Sequence, residues 1–235
     1  MSSIKALQNN LKRYWQLPYH NNTNLADKLW QVQKWQRNRI FKTHAKLFAM
    51  PQNKDMANYF VNDLYGGADF HIMAKQLETI LPKAKLFEKL IPKNALETGT
   101  LGIYAAVEAI ELDLQLAEWL QTNHLNVNHD NMLNAYQTVN AKSARKQQIE
   151  TMKHMCYRTD KYINAFVLQK AFSLSKNAAY SQGLQPLYDF VDTGFVAMRQ
   201  LTSIADFIEP FAKKELAIIE HVHSKNHHGK VDPFN

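Results

Sequence analysis

The chain has 235 residues, of which 46% are hydrophobic and 21% are charged, and it carries a formal net charge of +7. These proportions are typical of globular domains and exclude a disordered, fibrous or disulfide-framework protein. Seven glycines and seven prolines supply too few tight turns for a β-sandwich or barrel, and the single cysteine, Cys156, excludes an internal disulfide.

The start of the chain lacks the apolar core of a signal peptide. The longest segment without Asp, Glu, Lys or Arg is residues 14–26, which has 13 residues and is well short of a membrane span. We therefore expect a cytoplasmic protein without a membrane span.

The first fifty residues are strongly basic. Nine Lys or Arg residues against one acid give them a net charge of +8, and seven aromatic residues are interleaved with the cations. Aromatic residues at helical spacing favour rings that pack inward, with the cations in water and the segment docked on the acidic 108–118 helix. The alternative is binding of single-stranded nucleic acid or of an anionic membrane surface. The candidate anion-binding residues are Lys34, Arg37, Arg39 and Lys42.

Helical periodicity predicts helices along the N-terminal half of the chain. Pro51 ends the first long helix, and Gly66 is suited to the left-handed cap that ends the second. Asp69 is a good N-cap for the third helix, and Pro82 opens the fourth. The predicted helices are residues 24–50, 53–65, 69–81 and 82–91.

The C-terminal half is also helical in pattern. An asparagine-rich loop at residues 123–131 is suited to capping the helix after it and is a candidate lobe boundary, and a second loop is predicted at residues 176–186. The predicted helices here are residues 94–121, 132–139, 143–170, 187–201 and 206–222. We expect an all-α fold of eight or nine helices in a single domain over residues 1–235. Long helices joined by short loops favour a helical bundle core, with the short helices across one end.

The run F-V-N-D-L-Y-G-G-A-D-F, residues 60–70, resembles an uncharacterised family of bacterial all-helical proteins with the motif F-x-x-D-L-Y-G-x-x-D-F. Three further segments share the resemblance: residues 111–118, 143–150 and 189–199. The resemblance extends over about residues 35–204 and implies a bacterial origin and an all-helical fold. No activity is established for the family, so the resemblance assigns no catalytic residue. The family is rich in Arg and Asp directly after the motif, whereas this chain has His71, Ile72 and Met73 there.

Asp63, Tyr65, Gly66 and Asp69 form the most distinctive local cluster. In the structural interpretation, Gly66 ends one helix and Asp69 begins the next. The Tyr65 hydroxyl then anchors the corner, and Asp63 pairs with a cation of the basic segment. In the functional interpretation, two carboxylates and a phenol line a small polar pocket or hold a ligand cation. The sequence favours the structural interpretation, because capping explains two of the four residues without a ligand.

Glu108, Glu111, Glu150 and His154 are candidate metal ligands. Ferritin-like proteins bind two metals through Glu residues and Glu-x-x-His pairs on facing helices. This chain has no Glu-x-x-His, and its nearest approach is Glu150 with His154. A helical-bundle enzyme of haem-oxygenase-like or di-metal type, with haem or metal as cofactor, is therefore an alternative. The chain has no phosphate-binding loop, nucleophile elbow or metalloprotease motif. The sequence therefore contains no catalytic signature and does not decide whether the protein is an enzyme.

The leading hypothesis is a non-enzymatic cytoplasmic binding or regulatory protein. Its interhelical apolar groove would take a small-molecule ligand or a protein partner, and a homodimer is compatible with the sequence. The second alternative is nucleic-acid binding through the basic N-terminal segment. The groove is predicted from Met and aromatic residues on core-like faces, which are Met73, Met152, Met155, Phe166, Phe172, Phe195 and Met198.

Overall fold

The computed structural model describes residues 2–65, 69–83, 93–163, 165–224 and 232–234, except for the side chains of Asp69, Lys83 and Val167. Within these ranges the regular structure is helical and no strand forms, which confirms the all-α prediction. This part of the chain holds more helices than the eight or nine predicted. They are α1 (Ser3–Trp15), α2 (Thr23–Thr43), α3 (Ala45–Phe48), α4 (Lys54–Asn58), α5 (Asp69–Ile80), α6 (Lys93–Thr122), α7 (His129–Val139), α8 (Lys142–Ile163), α9 (Phe166–Ser181), α10 (Gln185–Gln200) and α11 (Ile204–Val222).

The long helix α6 organises the bundle. Apolar side chains surround its second half instead of forming one stripe, so it needs neighbours on several sides. It packs against α1, α2, α7 and α8, and α8 packs in turn against α11. The buried apolar residues in this half of α6 are Val107, Ala109, Ile110, Leu112, Leu114, Leu116, Ala117 and Leu120.

Buried apolar side chains form two main clusters. The larger joins α1, α2, α5, α6 and α7, and the second joins α4, α10 and the first half of α11. At the centre of the second cluster, Phe207 and Phe211 are almost fully buried, and the Phe60 ring packs edge-on against Phe211 at 5.0 Å between centroids. Burying one ring of this size stabilises the fold by roughly 1.5–3 kcal/mol.

The predicted helix at residues 24–50 is broken at His44, which is a correction to the sequence prediction. His44 has φ −103° and ψ 16°, so α2 ends before it and α3 begins after it. The buried His44 ring stacks on Phe211, with centroids 4.3 Å apart. No Pro or Gly stands at this break, so local sequence signals do not reveal it.

The predicted helix at residues 143–170 also ends early, at Ile163. The side-chain amide of Gln169 donates a hydrogen bond to the Ile163 carbonyl and so satisfies an acceptor at the end of α8. Helix α9 then runs to Ser181 through much of the loop predicted at residues 176–186, which is a second correction.

Several predicted boundaries agree with the structure. Asn128 of the asparagine-rich loop caps α7 by accepting a hydrogen bond from the N–H of Asn131 at 2.9 Å. The predicted helix at residues 53–65 consists of α4 and one π-helical turn, Tyr59–Leu64. The helix predicted between Pro82 and Pro92 lies mostly outside the described residues, and its start is the 3-10 turn Leu81–Lys83.

Candidate functional site

Five polar side chains meet inside the bundle and form the central polar cluster: Gln36, Tyr65, Asp113, Tyr136 and Arg145. The Asp113 carboxylate accepts hydrogen bonds from the Tyr65 hydroxyl at 2.6 Å and from the Gln36 amide at 3.2 Å. The Arg145 guanidinium lies 3.4 Å from the same carboxylate and donates to the Leu112 carbonyl at 2.9 Å. Gln36 also donates to the Tyr136 hydroxyl. Each side chain comes from a different segment, so the cluster ties four helices and the turn after α4 together.

Burial sets the charge states in the central polar cluster. Burial and the neighbouring Asp113 carboxylate raise the pKa of Tyr65 well above its ordinary value of 10.0. Burial also raises the pKa of Tyr136, although the cations Arg145 and Arg39 oppose that rise. Both phenols therefore stay neutral at pH 7, beside the buried Arg145–Asp113 pair. A buried pair of this kind is tolerated because hydrogen bonds replace the lost water.

A second polar group, the Glu215 cluster, consists of Arg39, His44 and Glu215. The Arg39 guanidinium binds the Glu215 carboxylate oxygens at 2.6 and 2.7 Å, and His44 Nε2 lies 2.8 Å from the first of them. Burial alone would raise the pKa of Glu215, but the Arg39 charge and the His44 hydrogen bond outweigh it and lower this pKa to about 2. Glu215 is therefore ionised at neutral pH inside the bundle.

The two polar clusters adjoin through α2. Gln36 and Arg39 are three residues apart on this helix, so their side chains project from neighbouring positions. Burial lowers the pKa of Arg39. The Glu215 carboxylate raises this pKa, and so do the nearby phenols Tyr136 and Tyr65. The net pKa of Arg39 lies above its ordinary value, so it stays charged beside both clusters.

A surface pocket of about 280 Å³ opens beside the two clusters, and we call it the α2 pocket. Its α2 wall comes from positions one turn apart, which lie on one face of the helix. His129, the first residue of α7, contributes from the opposite side, and residues 232–234 close one edge. The lining residues are Trp35, Asn38, Arg39, Lys42, Thr43, His129, Asp232 and Phe234.

The α2 pocket combines positive charge with aromatic surface. The Arg39 side chain is only 11% exposed and forms the link to the Glu215 cluster. Its Nε atom is buried and has no hydrogen-bond partner among the described residues. Lys42 is exposed, and the Trp35 ring meets Phe234 edge-on at 5.0 Å between centroids. Such a lining is suited to an anion that carries an apolar group.

The predicted corner is only partly described. Gly66 and the Asp69 side chain lie outside the described residues, although Asp69 begins α5 as expected. The Tyr65 hydroxyl binds Asp113 on α6, so Tyr65 belongs to the central polar cluster. Asp63 is half-buried on the π-helical turn, two residues after the buried Val61.

The candidate metal ligands lie in separate environments. The Glu111 carboxylate binds the guanidinium of Arg13, and Glu108 accepts a hydrogen bond from the hydroxyl of Tyr104 at 3.0 Å. Glu150 lies on α8 beside a shallow pocket against α11, and His154 is exposed. Among the side chains that the structure describes, no group of three His, Cys, Asp or Glu residues is placed to hold a metal ion.

The four candidate anion-binding residues do not share one surface. The Lys34 ammonium lies over the exposed Trp30 ring at 5.0 Å, and Arg37 is half-buried. Arg39 and Lys42 line the α2 pocket instead.

The basic segment does dock on α6, as the first interpretation of the sequence expected. Helices α1 and α2 both pack against α6, and the Arg13–Glu111 pair bridges α1 and α6. Tyr14 and Phe48 are buried, whereas Trp30 and Phe41 remain about half exposed.

The Met and aromatic residues behind the groove prediction do not line the α2 pocket. Met73 and Met198 are buried in the core, Phe172 stacks on Tyr188 at 4.3 Å, and Phe166 is 73% exposed.

Sequence reasoning missed Gln36, Asp113 and Glu215 as site residues. Each is a polar residue at a position where its helix is otherwise apolar: Asp113 stands between two leucines, and Glu215 shares a face with Phe211 and Ile218. A single polar residue on an otherwise apolar helix face could have identified them. Such a residue is expected to be buried, and a buried polar group needs a hydrogen-bond partner.

No curated protein and no solved structure is significantly similar to this chain. Within the described residues, no helix combines the length and apolar character that a membrane crossing requires. The profile of one family, described as a domain of unknown function (DUF8198), matches residues 16–229. That match tests neither the motif at residues 60–70 nor a bacterial origin, which stay predictions. Because it covers most of the sequence, the chain belongs to this uncharacterised family.

Proposed function

We propose that the chain is a non-enzymatic cytoplasmic binding protein that holds an anionic ligand or partner segment in the α2 pocket. The observation that supports this most directly is Arg39, a buried guanidinium that lines the pocket and keeps Nε without a partner among the described residues. Guanidinium groups bind carboxylates and phosphates more strongly than they bind neutral acceptors.

The walls of the pocket agree with an anionic ligand. Lys42 lies one turn beyond Arg39 and adds a second positive charge at the exposed side. Trp35 supplies apolar surface for the rest of the ligand. The volume of about 280 Å³ is at the small end for ligand pockets, so it suits a small molecule or a short chain segment.

The lining also explains why we propose binding without catalysis. The Thr43 hydroxyl donates to the Phe234 carbonyl at 2.9 Å and is therefore not activated by a base. The imidazole of His129 faces the Asp232 carboxylate, with Nε2 and Oδ1 3.2 Å apart. Neither side chain is arranged as a nucleophile with its general base.

A charge-reversal pair tests this proposal in the full-length protein. Lys42→Glu removes positive charge from the pocket, and Lys46→Glu makes the same change at an exposed position that does not line it. Benzoate and phenyl phosphate serve as probes, and at about ten times the dissociation constant they should raise the Tm by roughly 3–5 °C.

We expect this rise in Tm for the wild type and Lys46→Glu and a smaller rise for Lys42→Glu. A native mass spectrum of the freshly purified protein shows whether an anion is retained, with the same dependence on Lys42. Equal shifts in both variants, or no shift and no retained anion in any of them, contradict the proposal.

A second candidate function is binding of single-stranded nucleic acid along α2, favoured by a row of aromatic and basic side chains in which Trp30, Lys34 and Phe41 are exposed. Trp30, Lys34, Arg37 and Phe41 recur at i, i+4, i+7 and i+11, which places them on one face of the helix. Trp30 is 53% exposed and Phe41 is 48% exposed. Exposed aromatic rings between cations are the usual platform for stacked bases.

Fluorescence anisotropy with a labelled oligothymidylate tests this second candidate. The double variant Trp30→Ala/Phe41→Ala should bind at least tenfold more weakly, because stacking contributes about 1–3 kcal/mol per base. Met50→Ala is the control, since Met50 is an exposed apolar side chain outside the row. An affinity that neither the double variant nor rising salt lowers excludes this function.

A further inference from the structure

Residues 232–234 return to the bundle and occupy one side of the α2 pocket. The Phe234 side chain is only 2% exposed. Its ring lies 5.0 Å from Trp35, 5.4 Å from His129 and 5.5 Å from Tyr136, measured between centroids. The segment thus inserts an aromatic ring between α2 and α7.

Polar contacts fix the same segment at both ends. The Thr43 hydroxyl on α2 donates to the Phe234 carbonyl at 2.9 Å. The Asp232 carboxylate lies 3.2 Å from His129 Nε2 and also accepts the Phe234 N–H at 2.9 Å. Pro233 between them restricts the backbone and helps to hold the acid and the ring on the same side.

The chemistry of the segment complements that of the pocket. Without residues 232–234, the lining consists of cationic, aromatic and neutral polar side chains from α2 and α7. The segment adds an acid and a phenyl ring, which are the anion and the apolar group that this lining is suited to bind. Backbone recognition by Thr43 adds a contact that any peptide with the same shape can make.

We propose that the α2 pocket is a recognition site for a peptide with an acidic residue two positions before a Phe, and that residues 232–234 occupy one side of it as an internal copy of that peptide. This inference rests on the proposed function, because it names the anionic segment that the pocket takes. A partner protein with such a segment binds the pocket when the internal copy is displaced.

The internal copy combines buried anchors with exposed polar contacts. Pro233 and Phe234 are buried, while the Asp232 and His129 side chains are 36% and 45% exposed. Exposed ion pairs contribute little and are screened by salt. Because residues 232–234 belong to the same chain as the pocket, they compete with a free peptide at an effective concentration on the order of 1 mM. A free peptide that binds with a Kd of about 0.1 mM therefore meets roughly tenfold competition.

The test uses the full-length chain and a labelled peptide with the sequence of residues 229–235, Gly-Lys-Val-Asp-Pro-Phe-Asn. Anisotropy compares the wild type with the double variant Asp232→Ala/Phe234→Ala, in which the internal copy is disabled. We expect about tenfold tighter peptide binding to the double variant. Adding Lys42→Glu to it should weaken that binding, and so should replacing the Asp or the Phe of the peptide by Ala.

A milder variant covers the case in which loss of Phe234 unfolds the protein. The single variant Asp232→Ala keeps Phe234 and removes the carboxylate contacts with His129 and with the Phe234 N–H from the internal copy alone, so it should raise peptide affinity in the same direction. A folded double variant or Asp232→Ala protein that binds the peptide no better than the wild type overturns the inference. A native mass spectrum of dimers linked by exchanged C-terminal segments also overturns it, since the pocket then serves a second copy of this chain. If the Lys42-dependent shifts with benzoate persist while the peptide fails, the proposed function stands and only the peptide assignment is lost.

Discussion

Replacing Glu215 by Gln should weaken the fold at neutral pH and much less in acid. The Glu215 carboxylate is 6% exposed and binds Arg39 through both oxygens. Gln keeps the size of the side chain but leaves the buried Arg39 charge uncompensated, a change that typically costs about 3–5 kcal/mol.

The pKa of Glu215 gives the same magnitude independently. Lowering this pKa from 4.5 to about 2 on folding corresponds to about 3 kcal/mol of stability at neutral pH. Because the folded-state pKa lies below the unfolded one, this contribution is complete above about pH 4.5 and is lost as the pH falls toward 2. At about pH 3 less than half of it remains.

Urea unfolding of the wild type and Glu215→Gln at about pH 7 and about pH 3 measures this contribution. We expect the difference in unfolding free energy between the wild type and Glu215→Gln to be less than half as large at about pH 3 as at about pH 7. Glu220→Gln is the control on the same helix, because Glu220 pairs with Lys142 and Lys146 in an exposed position. Exposed pairs contribute little, so this variant should unfold almost like the wild type. A difference for Glu215→Gln that is independent of pH, or no larger than that of Glu220→Gln, refutes the reasoning.

Two further predictions concern packing and thiol chemistry. Gly194→Ala should lower stability by about 1–3 kcal/mol, because the new methyl group would lie 2.7 Å from the buried Tyr59 ring. Gly99→Ala should instead stabilise α6 by up to about 1 kcal/mol, because among the described residues nothing beyond the adjacent backbone of α6 and the two neighbouring residues lies within 4 Å of the new methyl group. Thermal unfolding of the two variants shows whether the signs differ. Burial raises the pKa of Cys156 to about 12, so Ellman's reagent should react with it at once in guanidinium and only slowly in the native protein. Rapid stoichiometric reaction of the native protein would contradict that burial.

Local patterns predicted most of the fold because helix formation is a local property. Apolar residues at helical spacing located the long helices, and Asn128 marked a helix start that the structure shows. The two breaks that the pattern missed, at His44 and after Ile163, lack Pro and Gly. His44 leaves α2 where its ring meets Phe211 and Glu215 on α11, which is a contact between segments far apart in sequence. Periodicity within one helix holds no information about such a contact.

The two polar clusters could not be predicted from the sequence, because their contacts also join residues that are far apart along the chain. Asp113 meets Tyr65 across 48 positions and Gln36 across 77, and Glu215 meets Arg39 across 176. One sequence identifies Asp113 as polar within an apolar helix but does not name its partner. Tyr65 was singled out only because it stands beside Gly66 in a recognisable corner, and its actual partner lies on α6.

Arg39 connects the buried clusters to the pocket and fixes how the pocket meets a ligand. Its terminal nitrogen is held by both oxygens of Glu215, while Nε has no partner among the described residues. A ligand that drew the guanidinium away would leave the buried Glu215 charge without its Arg39 partner, at a cost of several kcal/mol. The guanidinium therefore stays in place when an anion binds, and the ligand does not have to order it. Binding to a donor that is already positioned avoids the loss of side-chain entropy, so a pocket of this size can hold a small acidic group with useful affinity.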